Sequence, residues 1–96
     1  MVAKQSLTSG RKAVLKRKLI EGFRELDIGA AVEMEKSDFP GRYRLYVISP
    51  DFEKLTDGER MDLLWRVLKE QWPREDQLRL TLTLALTDKE AAGSWS

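Results

Sequence analysis

Two pairs of carboxylates come closest, among the residues of this sequence, to an arrangement that could do acid–base chemistry. Glu33 and Glu35 are separated by one residue, and so are Asp51 and Glu53. Such pairs catalyse proton transfer only where burial or crowding separates their pKa values. The first pair lies in a strand-like alternating run and the second lies in a predicted turn. We therefore interpret all four as solvated surface groups and predict no catalytic residue.

The sequence contains no cysteine and no histidine. Without cysteine there are no disulfides, thiolate metal ligands or thiol nucleophiles. Without histidine, the usual general base near neutral pH and the commonest metal ligand are missing as well. No phosphate-binding loop, nucleophile elbow or metal-ligand spacing occurs in the sequence. This pattern predicts a binding protein that is not an enzyme and that carries no metal or cofactor of its own.

The charge is unevenly distributed although the net charge is only +1. Residues 1–24 carry seven Lys or Arg and one acid, whereas residues 25–41 carry five acids and one lysine. A basic helix that includes Lys12, Lys16 and Arg17 could contact the phosphates of RNA or DNA. A solvated helix face with no partner is the alternative interpretation.

The length predicts a single domain that covers residues 1–96. With 42% apolar and 34% charged residues, the chain can bury one modest core beneath a well-solvated surface. Residues 1–10 are polar, and no apolar run approaches the roughly 20 residues that span a bilayer. We therefore predict a cytoplasmic protein without membrane contact, with flexible ends at residues 1–8 and 93–96.

The first half of the chain predicts a helix followed by a hairpin. The helix covers residues 9–26 and begins at the N-cap Ser9. Two alternating runs follow, residues 28–35 and 43–48, and the turn signal Pro-Gly between them predicts an antiparallel hairpin with a five-residue loop. The apolar stripe of the helix recurs at helical spacing and consists of Leu15, Leu19, Phe23 and Leu26.

The second half begins with a short helical turn over residues 51–55. Thr56 and Glu59 then fit a capping box that opens the main helix, which ends before Pro73. The apolar stripe of this helix, which we assign to the core, consists of Met61, Leu64, Trp65, Leu68 and Trp72.

Residues 78–87 form the clearest strand pattern, in which leucines alternate with Arg79, threonines and one alanine. Thr87 and Glu90 fit a second capping box, which opens a final helix. The element order is therefore α-β-β-α-α-β-α, which predicts an α+β fold with a three-stranded sheet. We expect the helices to cover the leucine face, which leaves Arg44, Tyr46 and Arg79 together on the open face.

Three stretches are similar to a known family. Residues 43–52 match a strand followed by a Ser-x-x-Phe turn, residues 60–68 match a pattern that begins with an arginine and ends with a leucine, and residues 78–90 match a strand that runs into a Thr-x-x-Glu helix start. Together these stretches resemble the BolA family, whose fold is a variant of the type II KH fold. The resemblance covers residues 12–92.

The family's functional histidines are replaced in this sequence. Met61 occupies the position of the helix histidine, and Arg79 occupies that of the strand histidine. In BolA-like proteins such a histidine completes an iron–sulfur cluster that is shared with a monothiol glutaredoxin. A thioether is a weak ligand for ferric iron, and a guanidinium stays protonated. The resemblance therefore implies the fold without the cluster ligand.

We predict a non-catalytic, BolA-like protein-interaction or regulatory domain that lacks its own iron–sulfur ligand. Its expected contact residues are Arg60, Met61 and Arg79, and the resemblance suggests a monothiol glutaredoxin as one partner. The alternative is a KH-like nucleic-acid-binding domain, although the Gly-x-x-Gly loop of KH domains is absent. That alternative uses Lys12, Lys16 and Arg17 on the first helix together with Arg44 and Tyr46 on the sheet. A homodimer stays open as a further alternative.

Overall fold

The computed structural model describes residues 7–95, with side chains described up to Gly93, and has an α+β fold. The three strands form one mixed sheet in the order β1-β2-β3, in which β1 and β2 are antiparallel and β2 and β3 are parallel. The elements are α1 (Ser9–Arg24), β1 (Ala31–Lys36), β2 (Tyr43–Ile48), a 3-10 helix (Pro50–Lys54), α2 (Asp57–Gln71), α3 (Arg74–Gln77), β3 (Leu80–Leu86) and α4 (Asp88–Trp95). The predicted fold class and element order are confirmed, with the single turn α3 as an addition.

Side-chain caps define where the helices begin. Thr8, not Ser9 as predicted, caps α1 by accepting from the amide of Arg11. The capping box of Thr56 and Glu59 is present as predicted. The second box is present too, since the Thr87 hydroxyl accepts from the amide of Glu90 at 3.1 Å and the Glu90 carboxylate accepts from the amide of Thr87 at 2.9 Å.

Several element ends differ from the predicted ones, and among them β1 begins at Ala31 rather than residue 28 and β3 at Leu80 rather than residue 78. Helix α1 ends at Arg24 rather than residue 26, because the backbone turns at Asp27, where φ is 61°. The β1–β2 loop spans residues 37–42 and turns at Gly41, whose φ of 73° favours glycine. Leu7 lies within the end predicted to be flexible, yet its amide donates to the Tyr43 hydroxyl at 2.7 Å. Residues 1–6 and residue 96 lie outside the described part of the chain.

The core lies between the sheet and one layer of helices. Helices α1 and α2 pack against each other and against the sheet. The Trp72 indole is buried and donates to the Leu15 carbonyl at 3.0 Å, whereas Trp65 is only half-buried at the edge of the core. Within residues 7–95, no helix is long and apolar enough to cross a membrane. The buried apolar cluster comprises Leu15, Leu19, Phe23, Val32, Leu45, Val47, Phe52, Leu64, Val67, Leu68, Trp72 and Ala85.

The prediction that the leucine face of β3 meets the helices is wrong for most of the strand. Tyr43 pairs with Leu80, but the next β2 residue, Arg44, pairs with Leu82, so that Thr81 is an extra residue in β3. Leu80 packs on the core, whereas the leucines beyond the extra residue lie on the opposite side of the sheet. A shift of one residue reverses every later side chain, because strand side chains alternate between faces.

The close contact between α1 and α2 depends on Gly22. A Cβ atom added there would lie 2.8 Å from Cγ1 of Val67 and 2.9 Å from Cγ of Gln71. We predict that Gly22→Ala lowers the free energy of unfolding by about 1–2 kcal/mol, because crowding at buried Val67 outweighs the gain in helix propensity of up to about 1 kcal/mol.

The matched control for this prediction is Gly10→Ala in the first turn of α1. A Cβ atom at Gly10 would meet nothing within 4 Å, so this variant is expected to be as stable as the parent or slightly more stable. Urea denaturation followed by tryptophan fluorescence measures both variants. Equal stability of the two alanine variants would contradict the close packing at Gly22.

Candidate binding surface on the open sheet face

The side of the sheet that faces away from the helices is a grid of nine side chains, three from each strand. We call it the open face. Its rows follow from the pairing of β1 with β2 and of β2 with β3. The three rows are Ala31, Ile48 and Leu86; Glu33, Tyr46 and Leu84; and Glu35, Arg44 and Leu82.

The chemistry of the open face changes from strand to strand. The β3 column is entirely leucine, and Leu82 is 42% exposed. The middle column adds Tyr46 and Ile48, and a shallow depression of about 390 Å³ lies beside them and Glu33. Six of the nine grid positions are therefore apolar or aromatic, in one continuous area, and the acids lie together on β1.

Arg44, Tyr46 and Glu35 form a small polar network at one side of this face. The Arg44 guanidinium lies 3.0 Å from the Glu35 carboxylate, and the Tyr46 hydroxyl donates to the same oxygen at 3.3 Å. Burial raises the pKa of Tyr46, and the neighbouring Glu35 charge adds to the effect while Arg44 opposes it. The predicted location of Arg44 and Tyr46 on the open face is confirmed, but Arg44 is already neutralised by Glu35.

Acidic groups also lie beyond the outer edge of β3. A cleft of about 370 Å³ separates this edge from the start of α2, and Leu84 and Leu86 line it together with Met61. Asp57 and Glu90 line the same cleft. Both long sides of the apolar area are therefore bordered by carboxylates.

Arg60 lies inside the domain, where it connects four elements. It is only 7% exposed, and its Nε donates to the carbonyls of Phe52 at 2.8 Å and Leu55 at 3.2 Å. Its terminal nitrogen contacts the carboxylate of Glu90 at 2.8 Å and the carbonyl of Ala85 at 3.5 Å. The predicted role of Arg60 as a partner contact is thus replaced by a structural role, since little of the guanidinium can be reached from outside.

The Glu90 carboxylate is held by the same network. Its hydrogen bond from the Thr87 amide, and then the one from Arg60, lower the pKa of Glu90 below its ordinary value. Glu90 therefore stays ionised and keeps its negative charge at the β3 edge.

The two positions at which BolA-like proteins carry histidine are far apart in this chain. Met61 borders the cleft beside Leu84, whereas Arg79 precedes β3 and its Nε lies 3.7 Å from Asp76. Leu84 is five positions after Arg79 along the chain, which corresponds to roughly 16 Å of extended strand. A thioether and an ion-paired guanidinium do not provide the ligand that a shared iron–sulfur cluster needs. Arg79 directly precedes β3, so it is not one of the nine residues of the grid.

The predicted nucleic-acid contacts fall on two sides of the sheet. Helix α1 packs on the core side, so Lys12, Lys16 and Arg17 lie in the helix layer. Lys12 places its ammonium 5.8 Å from the centre of the Tyr43 ring. Arg44 and Tyr46 belong to the opposite face, so the five residues do not form one surface.

A scan against models of known protein families finds no match, and a search of curated proteins finds no significantly similar sequence. The candidate surface is therefore characterised by its own geometry.

The leucines of the open face are the part of this surface that sequence reasoning missed. A leucine–threonine alternation is the same sequence pattern whether the leucines or the threonines face the core. The pattern alone therefore does not predict which side of β3 is buried. The one indication was Ala85, the smallest residue of the other face, which fits a position under a closely packed helix and is 7% exposed.

We predict that Arg60→Ala lowers the free energy of unfolding by about 2–4 kcal/mol, because it removes the donor of buried backbone carbonyls and the partner of Glu90. Arg66→Ala is the matched control, since Arg66 is exposed and its nitrogen lies 3.9 Å from Glu70. Its expected effect is within about 0.5 kcal/mol. Chemical denaturation measures both, and an Arg60 variant as stable as the Arg66 variant would show that the network is dispensable.

Proposed function

We propose that this chain is a non-catalytic protein-interaction domain of BolA-like architecture, and that the open face is its contact surface. The observation that carries the proposal is the continuous apolar area made by Tyr46, Ile48 and the β3 leucines on the sheet face opposite the helix-packed core. Single exposed apolar residues are ordinary, whereas a continuous patch with a polar rim is typical of a binding site.

Burial of this area would supply the free energy for association. Each square ångström of apolar surface removed from water contributes about 25 cal/mol. Leu82, Leu84 and Leu86 stand in one line at strand spacing, so one partner element can cover all three. Such a row is a contact for another protein, because each leucine adds to the same interface.

The charges on the open face favour a protein over a nucleic acid. Arg44, its one cation, is paired with Glu35, and Glu33 adds a further negative charge. Phosphate groups are repelled by such a surface, since nucleic-acid binding depends on unpaired Lys and Arg. The basic residues of α1 lie in the other layer and would have to act alone.

The BolA resemblance also suggests a regulatory role, in which the domain acts by binding to a partner protein. A monothiol glutaredoxin is one partner that this resemblance suggests. The residues at positions 61 and 79 leave the chain without a cluster ligand of its own, so any such pairing would rest on surface contacts.

We predict that tagged protein incubated with a lysate of its native cells captures a defined protein and that the double variant Leu82→Thr and Leu84→Thr loses it. Threonine retains strand propensity while removing the apolar contact, so the variant keeps its fold. Mass spectrometry of the captured material, with and without nuclease, is the measurement.

The matched control is Phe39→Thr, the same type of change at a side chain that is 65% exposed in the β1–β2 loop. This control is expected to retain the partner. Capture that survives both leucine substitutions would contradict the proposed surface. Recovery of RNA or DNA, with release after Lys12, Lys16 and Arg17 are changed to Glu, would establish the nucleic-acid alternative instead.

A second prediction concerns the iron–sulfur cluster that BolA-like proteins share with a monothiol glutaredoxin. When this protein is mixed with the iron–sulfur form of a monothiol glutaredoxin, the visible absorption and circular dichroism spectra should show no new histidine-ligated species. A BolA-family protein that retains its histidines is the positive control. A new spectrum of that type with this chain would overturn the argument from Met61 and Arg79.

A further inference from the structure

We infer that the element that binds the open face is a basic amphipathic helix of another protein, with its apolar stripe on the β3 leucines and Lys or Arg on both flanks. This inference rests on the proposed protein-interaction function and names the chemistry of the partner. It follows from the dimensions of the face, the arrangement of its apolar side chains and the charges along its two long sides.

The dimensions match one helix. Three strands spaced about 4.8 Å apart, together with their side chains, make a face roughly 14 Å wide, and six residues of strand make it about 20 Å long. An α-helix with side chains is about 10–12 Å across, and about 14 residues of helix are 21 Å long. One helix laid along the strands therefore covers the three columns of the grid.

A second copy of this chain fits less well. The face has a footprint of about 300 Å², and a stable interface buries about 800 Å² on each partner. Two open faces would also bring like-charged rims together, because Glu33 has no ion pair within the described residues. A small face of this type suits a single helix and a transient complex.

The apolar pattern fixes how the helix would lie. Leu82, Leu84 and Leu86 form one row along β3. Tyr46 and Ile48 lie beside this row on β2, where they line the shallow depression. A helix with apolar residues at i, i+3, i+4 and i+7 presents a stripe about as wide as this area. Its polar residues then fall above the two long sides of the face.

Both of those sides are acidic. Glu33 and Glu35 lie on β1, and Asp57 and Glu90 border the cleft beyond β3. Arg44 neutralises Glu35 and Arg60 neutralises Glu90, so the carboxylates without an ion pair among the described residues are Glu33 on β1 and Asp57 beside the β3 edge. The sides therefore favour Lys or Arg on the partner, and they would increase its rate of association at low salt.

The test uses three designed peptides of about 14 residues and isotope-labelled protein. The first has leucines in an i, i+3, i+4, i+7 stripe with lysines on both flanks. The second replaces every lysine with glutamate, and the third keeps the composition of the first but scatters the leucines. Amide chemical shifts followed by NMR titration report both the affinity and the location of binding.

We predict that the basic striped peptide binds at least tenfold more tightly than its acidic twin and than the scattered peptide. The largest shifts should fall on Ile48, Leu82, Leu84 and Leu86. Glu33→Lys should weaken binding of the basic peptide about fivefold and strengthen binding of the acidic twin, because it reverses one attractive contact. Leu84→Thr should abolish binding, whereas Phe39→Thr should leave it unchanged.

Equal affinity for the basic and acidic peptides, or shifts confined to α1, would overturn the inference. So would a dimer in sedimentation without peptide that becomes a monomer when Leu84 is changed to Thr. The proposed protein-interaction function is tested separately: it would be contradicted if the leucine substitutions left the amount of protein captured from lysate unchanged. If capture from lysate requires Leu82 and Leu84 but the basic and acidic peptides bind equally well, the proposed protein-interaction function stands and the basic helix is rejected.

Discussion

One extra residue in β3 determines which surface this domain presents. Up to Leu80 the strand directs its leucine into the core, and after Thr81 the pairing of Arg44 with Leu82 reverses the alternation. The Thr81 hydroxyl donates to the carbonyl of Tyr43 at 3.3 Å, which ties the shifted segment to β2. Without this shift, threonines would line the open face and the leucines would lie beneath the helices.

The register shift in β3 and the burial of Arg60 depend on each other. Beyond Thr81, the side of β3 that faces α2 carries Thr83 and the small Ala85, so the helix can approach the strand closely. That approach brings Arg60 to the Ala85 carbonyl at 3.5 Å and to Glu90 at the start of α4. A leucine in place of Ala85, which is 7% exposed, would need space beside α2, and interiors are packed without spare volume. The polar network thus sets the same strand phase that exposes the leucines.

The helices and strands could be predicted from local sequence patterns. Which face of β3 meets the helices could not be predicted in this way. Helical spacing and two capping boxes located α2 and α4, because a threonine and a glutamate three residues later satisfy the same orphan amides wherever they occur. The phase of β3 depends on contacts with α2, such as the hydrogen bond between Arg60 and Ala85, which are 25 residues apart in the sequence. The burial of Arg60 and Asp76 also follows from long-range partners, such as the 2.6 Å pair of Arg11 with Asp76. The open face was foreseen correctly at Arg44 and Tyr46, which belong to a hairpin with no register shift.

Folding alone does not account for leucines on an uncovered strand face. Threonine suits such a strand at least as well, and leucines at a sheet edge that are exposed, as Leu82 is, or half-buried, as Leu84 and Leu86 are, create a risk of aggregation. The carboxylates on both sides of the apolar area offset that risk, because two copies of the face would repel each other. The same charges leave the leucines accessible to a partner of opposite charge. We therefore propose that an apolar row between two acidic borders disfavours pairing of two copies of the face and favours a basic helix.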